Sequence, residues 1–412
     1  MCRSYIVMLW KRVHRPVVTD QARIGDLLTR GVEDVFVKEN LETKLRSGRR
    51  LRVKLGIDPT GKTIHIGRAI TLWKLKAFQD LGHQVVLIVG DFTAQIGDPS
   101  DKLEKRPMLT TDVIRKNLAD YKKIIGKILD VNKAEFLYNS TWLSKIGFKE
   151  ISDLAESFSV QQMSNRRNFK ERFERGEEVS LREFLYPLMQ GYDSVAVRAD
   201  VELGGFDQLF NLKAGRVIQK HYGQPEQDII TFEMLPGTDG RKMSTSWGNV
   251  ITITDEPNDM YGKIMSLHDD LIEKYFFLCT HRTEEEIKQY VGSMKAGANP
   301  RDIKKMLAHD IVALYHGEAL AHKAEEWFTK VFSRGQIPDS KDLHSVTRPQ
   351  ETLLVDILLQ EKIVESKSEF ARLCGEGAVT VNDEKIKDLK FVLRGDIIVR
   401  VGKRRILRIE SV

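Results

Sequence analysis

Cysteine is almost absent. Cys2, Cys279 and Cys374 are the only three in 412 residues, they stand far apart, and none falls in a CxxC or Cys/His ligand spacing. That argues against a disulfide framework and a zinc site, and for reduced, packed thiols in a cytoplasmic protein. Also missing is any apolar run near the roughly 20 residues that span a bilayer. The opening MCRSYIVMLWKR carries only a short apolar stretch and no small-residue cleavage site, so it reads as a ragged amino terminus, not a signal peptide. Strong charge of one sign is lacking too: a net charge of +6 permits an acidic partner without requiring one. What remains is an ordinary globular composition, 41% hydrophobic and 30% charged, in a chain long enough for about two to four domains.

Periodicity divides the chain. Residues 1–50 read as an amino-terminal helical segment. Over 51–254 buried strands alternate with helices: strand-like at 51–55, helix-like at 68–81, a continuous apolar strand at 84–89, amphipathic at 112–129, mostly helical over 143–188 and strand-like again at 195–203. The pattern predicts an α/β fold with a doubly wound parallel, Rossmann-like sheet and a helical insertion. Residues 255–334 read as a helical domain, with helices at 271–278, 284–294 and 300–332. Residues 335–351 hold Pro338 and Pro349 without periodicity and read as a linker. Residues 352–412 read as a small α+β domain, with helices at 352–360 and 367–375 and turn signals at Asn382-Asp383 and Arg394-Gly395-Asp396. From Lys385 onward nine basic residues face only Asp388, Asp396 and Glu410, the electrostatic footprint of a nucleic-acid partner.

Two readings compete for the segment after the first strand. GIDPTGKT, from Gly56 to Thr63, matches the phosphate-binding P-loop pattern GxxxxGK[ST] at every fixed position, with Asp91 placed where a magnesium-holding aspartate could follow the second strand. Pro59 weakens that match, since it removes a backbone donor from a loop that works through its donors. The other reading joins HIGR (His65–Arg68) with GRKMSTS (Gly240–Ser246). As an ordered pair these resemble the two nucleotide-binding signatures of class I aminoacyl-tRNA synthetases.

Four blocks extend the likeness: LGIDPTGKTIHIGR with LGHQVVLIVGDFTAQIGDPSDKLEKRP, then YPLMQGYDS, VELGGFDQLFN and GRKMSTSWGN. Together they resemble, in the family's order, the catalytic core of bacterial tyrosyl-tRNA synthetases. Residues 352–412 resemble the RNA-binding domain shared with a small-subunit ribosomal protein, which the related tryptophanyl enzymes usually lack. The resemblance covers nearly everything from about Gly31 onward.

It implies a tyrosine–tRNA ligase that takes ATP with Mg²⁺, L-tyrosine and tRNA(Tyr), acts as a homodimer and binds no resident metal. It implies catalytic roles for His65, Lys102, Arg106, Lys242 and Thr245. ATP contacts fall on Asp58, Thr60, His65, Gly67, Arg68, Gly205, Asp207, Lys242, Met243, Ser244, Thr245 and Ser246. Tyrosine contacts fall on Asp98, Tyr186, Gln190, Asp193 and Gln208, with Asp193 accepting the phenolic proton. RNA contacts fall on Lys367, Arg372, Lys403, Arg404 and Arg405. The chain departs from the family at Arg68 for a second histidine, Thr245 for a second lysine, Phe206 for a small hydroxyl residue, and Lys54 where some members carry a tyrosine on the substrate hydroxyl. Those departures keep a third reading open, a non-catalytic RNA-binding protein on a synthetase scaffold.

Overall fold

A computed structural model describes residues 16–100, 109–118, 120–244, 247–333, 345–349, 351–361, 363–364, 366–382, 384–402 and 405–411. The chain folds as two compact units. One comprises Met1–Glu256 with Lys263–Gly317, the other Pro257–Gly262 with Glu318–Val412.

The first unit is built on a six-stranded sheet. Its strands are β1 (Val32–Phe36), β2 (Arg52–Ile57), β3 (Gln84–Val89), β4 (Glu135–Tyr138), β5 (Val201–Gly205) and β6 (Asp228–Phe232), in the spatial order β1-β6-β5-β2-β3-β4. From β6 to β4 every pairing is parallel, while β1 closes the β6 edge antiparallel. The QVVLIV strand is buried at every position, as a strand covered on both faces must be. The helix Ile66–Asp80 returns β2 to β3, and Leu209–His221 returns β5 to β6. Chain order runs outward from β2 through β3 to β4, then jumps to the other side of β2 for β5 and β6. This is the expected doubly wound sheet, with its switch point between β2 and β5.

Several boundaries differ from the sequence reading. The first fifty residues supply helices Gln21–Thr29 and Lys38–Arg46 but also the edge strand β1. The stretch 195–203 is not one strand. Helix Leu181–Val197 runs through its apolar start and ends where Arg198 turns left-handed (φ 50), and β5 begins only at Val201. A short buried run has no period of its own to separate helix from strand. Residues 112–129 break into Thr111–Leu118 and Tyr121–Ile125. The helix expected over 300–332 divides at Gly317, whose φ of 88 suits glycine, into Pro300–His316 and Glu318–Phe328.

In the second unit a five-stranded sheet is built from β7 (Ser345–Arg348), β8 (Val379–Val381), β9 (Glu384–Lys385), β10 (Ile397–Val401) and β11 (Arg405–Ser411), ordered β7-β11-β10-β8-β9. Helices Leu354–Gln360 and Lys367–Gly375 bring Leu354, Ile357, Leu358 and Phe370 to a core shared with Val399, Leu407 and Ile409. β7 lies within the stretch read as a linker and pairs parallel with β11, so the terminal sheet starts earlier than the turn residues suggested. Gly395 takes the positive φ (73) its turn requires, and Asn382 (φ 47) accepts a hydrogen bond from the Ile398 amide through its side chain.

Candidate active site

β2 and β3 stay paired from Arg52 to Ile57. β2 and β5 pair only at Val53–Val201 and Lys54–Glu202 and then part. Their parting opens a crevice at the carboxyl ends of the parallel strands, where ligands of such sheets bind. The segments that follow each strand supply its walls: Asp58 after β2, Thr93 after β3, Asn139 and Trp142 after β4, Asp207 and Gln208 after β5.

One wall comes from helix Leu181–Val197. A capping box of Ser180 and Glu183 fixes its start. Tyr186, Gln190 and Asp193 follow at spacings of one turn and share a face. Asp193 is buried; its Oδ1 accepts from Trp142 Nε1 at 2.8 Å and its Oδ2 from Asn139 Nδ2 at 3.3 Å. Burial pushes its carboxyl up to about 7, against the pull of Lys54 and of those two donors. The Tyr186 hydroxyl donates to Asp58 Oδ2 at 2.8 Å, and Thr93 Oγ1 donates to Asp58 Oδ1 at 2.7 Å. Burial, with Asp58, Asp98 and Asp193 nearby, holds the Tyr186 phenol well above its ordinary range, so it stays a donor. Gly90 makes this possible: a Cβ there would lie 1.9 Å from Asp58 Oδ1.

Beside them Asp98 is buried and accepts from Ser100 N at 2.9 Å and Gln208 Nε2 at 2.7 Å. Asn211 Nδ2 bridges Ser100 Oγ (3.0 Å) and Gln208 Oε1 (3.2 Å). The buried Arg166 guanidinium donates to Ser100 Oγ at 2.9 Å and to Asn211 Oδ1 at 3.2 Å, against the Phe169 and Phe210 rings.

The other wall joins the two short signatures. His65 caps the helix Ile66–Asp80, its Nδ1 accepting from Arg68 N at 3.3 Å. Burial, then the charges of Arg68 and Lys242, lower its pKa to about 4, so the ring is neutral at pH 7. With Nδ1 an acceptor, the proton sits on Nε2, which is left to donate. His65 bridges to Thr252, and Ile66 N donates to Ile251 O at 2.9 Å, tying HIGR to the strand-like stretch after GRKMSTS. A Cβ on Gly67 would sit 3.2 Å from Met243 Sδ, so the two signatures meet at a glycine. Lys242 Nζ reaches Asp207 Oδ2 at 3.6 Å. Asn249 staples this loop: Oδ1 accepts from Ser244 N (2.8 Å), and Nδ2 donates to Lys242 O (3.1 Å) and Asp239 Oδ1 (2.8 Å).

Thus the structure brings together Asp58, His65, Gly67, Asp98, Tyr186, Gln190, Asp193, Gly205, Asp207, Gln208, Lys242, Met243 and Ser244, with Thr60 and Arg68 exposed at the rim. Lys102, Arg106, Thr245, Ser246, Lys403 and Arg404 lie outside the described residues. Lys54 is fully buried, its ammonium bound to Glu202, Ser194 and the Gln190 carbonyl, so all three of its donors are engaged within the protein. The P-loop reading fails on geometry. The following helix begins at Ile66, not at Lys62 and Thr63, which are both exposed in the preceding loop, so no helix amino terminus gathers at the would-be phosphate cradle. Sequence reasoning passed over Thr93, Asn139, Trp142, Glu202 and Asn249. Three of these stand just past β3 or β4, the positions a parallel sheet reserves for ligands.

In the terminal sheet unit, Lys367 pairs with Asp356 at 3.2 Å and Arg372 with Glu376 at 2.7 Å. Arg405 is drawn inward onto the Ile363 carbonyl and Glu369, so it offers less to an RNA than its place in the basic run suggested. Lys385, Lys387, Lys390 and Arg394 are exposed.

Comparison with known proteins agrees with this geometry. Residues 46–333 match the family of class I tRNA synthetases (W and Y), and 337–407 match the tyrosine--tRNA ligase SYY-like C-terminal domain. A tyrosine--tRNA ligase of Thermotoga maritima is 46% identical over 389 residues, covering 93% of this chain and 96% of that one. That of Carboxydothermus hydrogenoformans is 46% identical over 407 residues, covering 95% and 98%. In fold, the chain resembles a C-terminally truncated mitochondrial tyrosyl-tRNA synthetase of Aspergillus nidulans (TM-score 0.62, 22% identity, 77% of this chain and 95% of that one). The tyrosyl-tRNA synthetase of Archaeoglobus fulgidus, solved with L-tyrosine, aligns with a TM-score of 0.59 at 23% identity, over 74% of this chain and 100% of that one. With the family description spanning most of the chain and relatives this similar along nearly their whole length, the chain belongs to the class I tRNA synthetases, among the tyrosine–tRNA ligases.

Proposed function

We propose that the crevice activates L-tyrosine with ATP and then charges the 3′-terminal adenosine of tRNA(Tyr). The observation that carries this is the meeting of HIGR and GRKMSTS at Gly67, across the strand ends from a buried carboxylate that can read a phenol. In the first step a tyrosine carboxylate oxygen attacks the α-phosphorus and the bond to the β-phosphate oxygen breaks, releasing diphosphate. In the second a ribose hydroxyl attacks the acyl carbonyl and AMP leaves.

Asp193 accepts the substrate's phenolic hydrogen. Asp98, Tyr186 and Gln190 receive the α-ammonium, and Gln208 holds Asp98 for it. Asp58, Thr60, Arg68, Gly205 and Asp207 take the adenosine side. His65 donates through Nε2 to phosphate and Met243 lies against the nucleotide, while Lys242, Lys102 and Arg106, helped by the Ser244, Thr245 and Ser246 hydroxyls, balance the charge that grows on the leaving diphosphate. The substrate carboxylate is already ionised near neutral pH, so no general base is needed in the first step. Mg²⁺ brought in with the nucleotide would share in neutralising its phosphates beside Lys242 and His65. The phosphate side presents an imidazole N–H and an ammonium, not a carboxylate cage, which suits a metal carried by the substrate.

The domain reading follows: 51–254 catalytic, 255–334 facing the anticodon region of the tRNA, and 352–412 gripping RNA. The helical insertion exposes Phe148 (85%), Val160 (78%) and Leu181 (81%), large apolar side chains that suit a homodimer interface. A cytoplasmic setting suits the buried, unbridged Cys279 and Cys374. No helix among the described residues is long and apolar enough to cross a membrane.

The test is tyrosine-dependent exchange of pyrophosphate into ATP with no tRNA present. Exchange is expected. A folded protein that binds tRNA but does not exchange is the non-catalytic binder, and ATP hydrolysis independent of tyrosine is a nucleotidase.

A further inference from the structure

Behind the amino-acid pocket lies a buried charge pair that the reaction scheme does not use. Lys54 and Glu202 face each other on β2 and β5, at the last pairing before those strands part. Both are 0% exposed, and Lys54 Nζ lies 2.9 Å from Glu202 Oε1. Replacing such a pair by apolar side chains of similar volume is often neutral for stability or better. Stability alone therefore does not explain it, and its other bonds show where it acts. Gln190 Nε2 donates to Glu202 Oε1 at 3.1 Å. Lys54 Nζ donates to the main-chain carbonyl of Gln190 at 3.0 Å and to Ser194 Oγ at 2.8 Å, and Ser194 donates to Glu202 Oε2 at 3.2 Å. Gln227 Nε2 also donates to Glu202 Oε2. The packing leaves no slack: a Cβ on Gly215 would lie 2.9 Å from Ser194 Oγ and 3.2 Å from Glu202 Oε2.

An amide side chain has two ends of opposite character, and a carboxylate can only accept. Glu202 therefore claims the NH₂ end of Gln190. What Gln190 has left to offer is a carbonyl oxygen, the end that suits an ammonium. We propose that Lys54 and Glu202 are a positioning pair that sets the Gln190 amide as an acceptor for the α-ammonium of the substrate, with Lys54 anchoring both Glu202 and the helical turn that carries Gln190. The inference rests on the reading that Gln190 meets the substrate's ammonium. Without Glu202 the amide is free to rotate and present its NH₂ end, which repels that ammonium. Lys54 and Glu202 also act on Asp193 in opposite senses, so removing both disturbs the phenol reader less than removing one.

The experiment compares binding of L-tyrosine with binding of 3-(4-hydroxyphenyl)propanoate, which keeps the phenol and carboxylate but lacks the ammonium. Calorimetry is run on the wild-type protein, Glu202→Gln, and the double variant Lys54→Met/Glu202→Leu, with thermal unfolding as the check on folding. The wild type should prefer tyrosine. In Glu202→Gln the preference should shrink by about tenfold or more, about 1.4 kcal/mol, through weaker tyrosine binding with the analogue little changed. Should Glu202→Gln fold poorly, the double variant reads the same ratio without an unpaired buried charge. Folded variants that keep the wild-type preference, or lose both ligands equally, overturn the proposal and leave a structural ion pair. A wild type that does not prefer tyrosine to the analogue, or shows no pyrophosphate exchange, defeats the underlying reading instead.

Discussion

The floor of the crevice and the basic face of the terminal sheet are both rich in charge, and they handle it in opposite ways. At the floor, Asp58, Asp98, Asp193 and Glu202 are held by at least two donors each, and three of the four are buried. On the terminal sheet unit, Lys367 and Arg372 sit in solvent-exposed pairs with side chains 69% and 60% accessible, where an ion pair contributes little. Buried polar groups with committed partners give a site that tells molecules apart. Exposed cations with interchangeable partners give one that responds to total charge. Single substitutions should therefore be severe and specific in the first region, mild and additive in the second.

The largest expected effect tests the first half of that contrast. Lys242→Ala should slow pyrophosphate exchange about 10²–10³-fold, the scale of losing one preorganised donor to a transition state. Lys62→Ala, exposed only a few residues from His65, should stay within about tenfold, or about 1.4 kcal/mol. Equal losses would return the P-loop to consideration. Next comes selectivity. Phenylalanine would bury Asp193 without the phenolic donor that tyrosine brings, a penalty of roughly 3 kcal/mol that Asp193→Ala removes. The ratio of kcat/KM for tyrosine over phenylalanine should fall about a hundredfold, and an unchanged ratio takes Asp193 out of the role.

A pH series sharpens the same point. With its carboxyl near 7, Asp193 is a pure acceptor only above that pH, so KM for tyrosine should rise by up to about tenfold per pH unit below it. His65, near 4, stays neutral through that window, so kcat for exchange should not follow. Stability runs the other way. A carboxyl raised on folding loses stability as pH climbs from the ordinary carboxylate range toward 7, and Asp193→Asn should flatten that slope in thermal unfolding.

The mildest effects belong to the terminal sheet. Removing everything after Ser333, a cut that takes β7 with its sheet, should leave adenylate formation within a few-fold while tRNA charging falls and its salt dependence flattens. Lys387→Ala alone should lower the slope of log K against log salt by about one and leave stability within about 0.5 kcal/mol. Charging insensitive to salt in the intact protein would break the comparison.

How much of this could be read from the chain divides along the same line. Residues that must project from a strand end or a helix face carry their position in their spacing, as Tyr186, Gln190 and Asp193 do. HIGR and GRKMSTS were legible as a pair because each needs the other. The partners behind them were not. Nothing local marks Trp142 or Asn139 as donors to a carboxylate some fifty positions away, and Glu202 reads as an ordinary charge in a strand until β2 is laid beside it. Arg405 counted as free charge in a composition argument and proved to be bound to its own unit. The strand expected over 195–203 begins in helix, because a buried helix and a buried strand look alike over so few residues.

Gly90 offers no functional group, yet it governs who may stand next to whom. The Asp58 carboxylate occupies the volume where any other residue would keep its first carbon. A single methyl at that point would be a wedge, not a lost interaction. It would turn Asp58 away from both Tyr186 and Thr93 at once, so binding of the amino acid and of the nucleotide would fail together while every chemically competent residue remained in place.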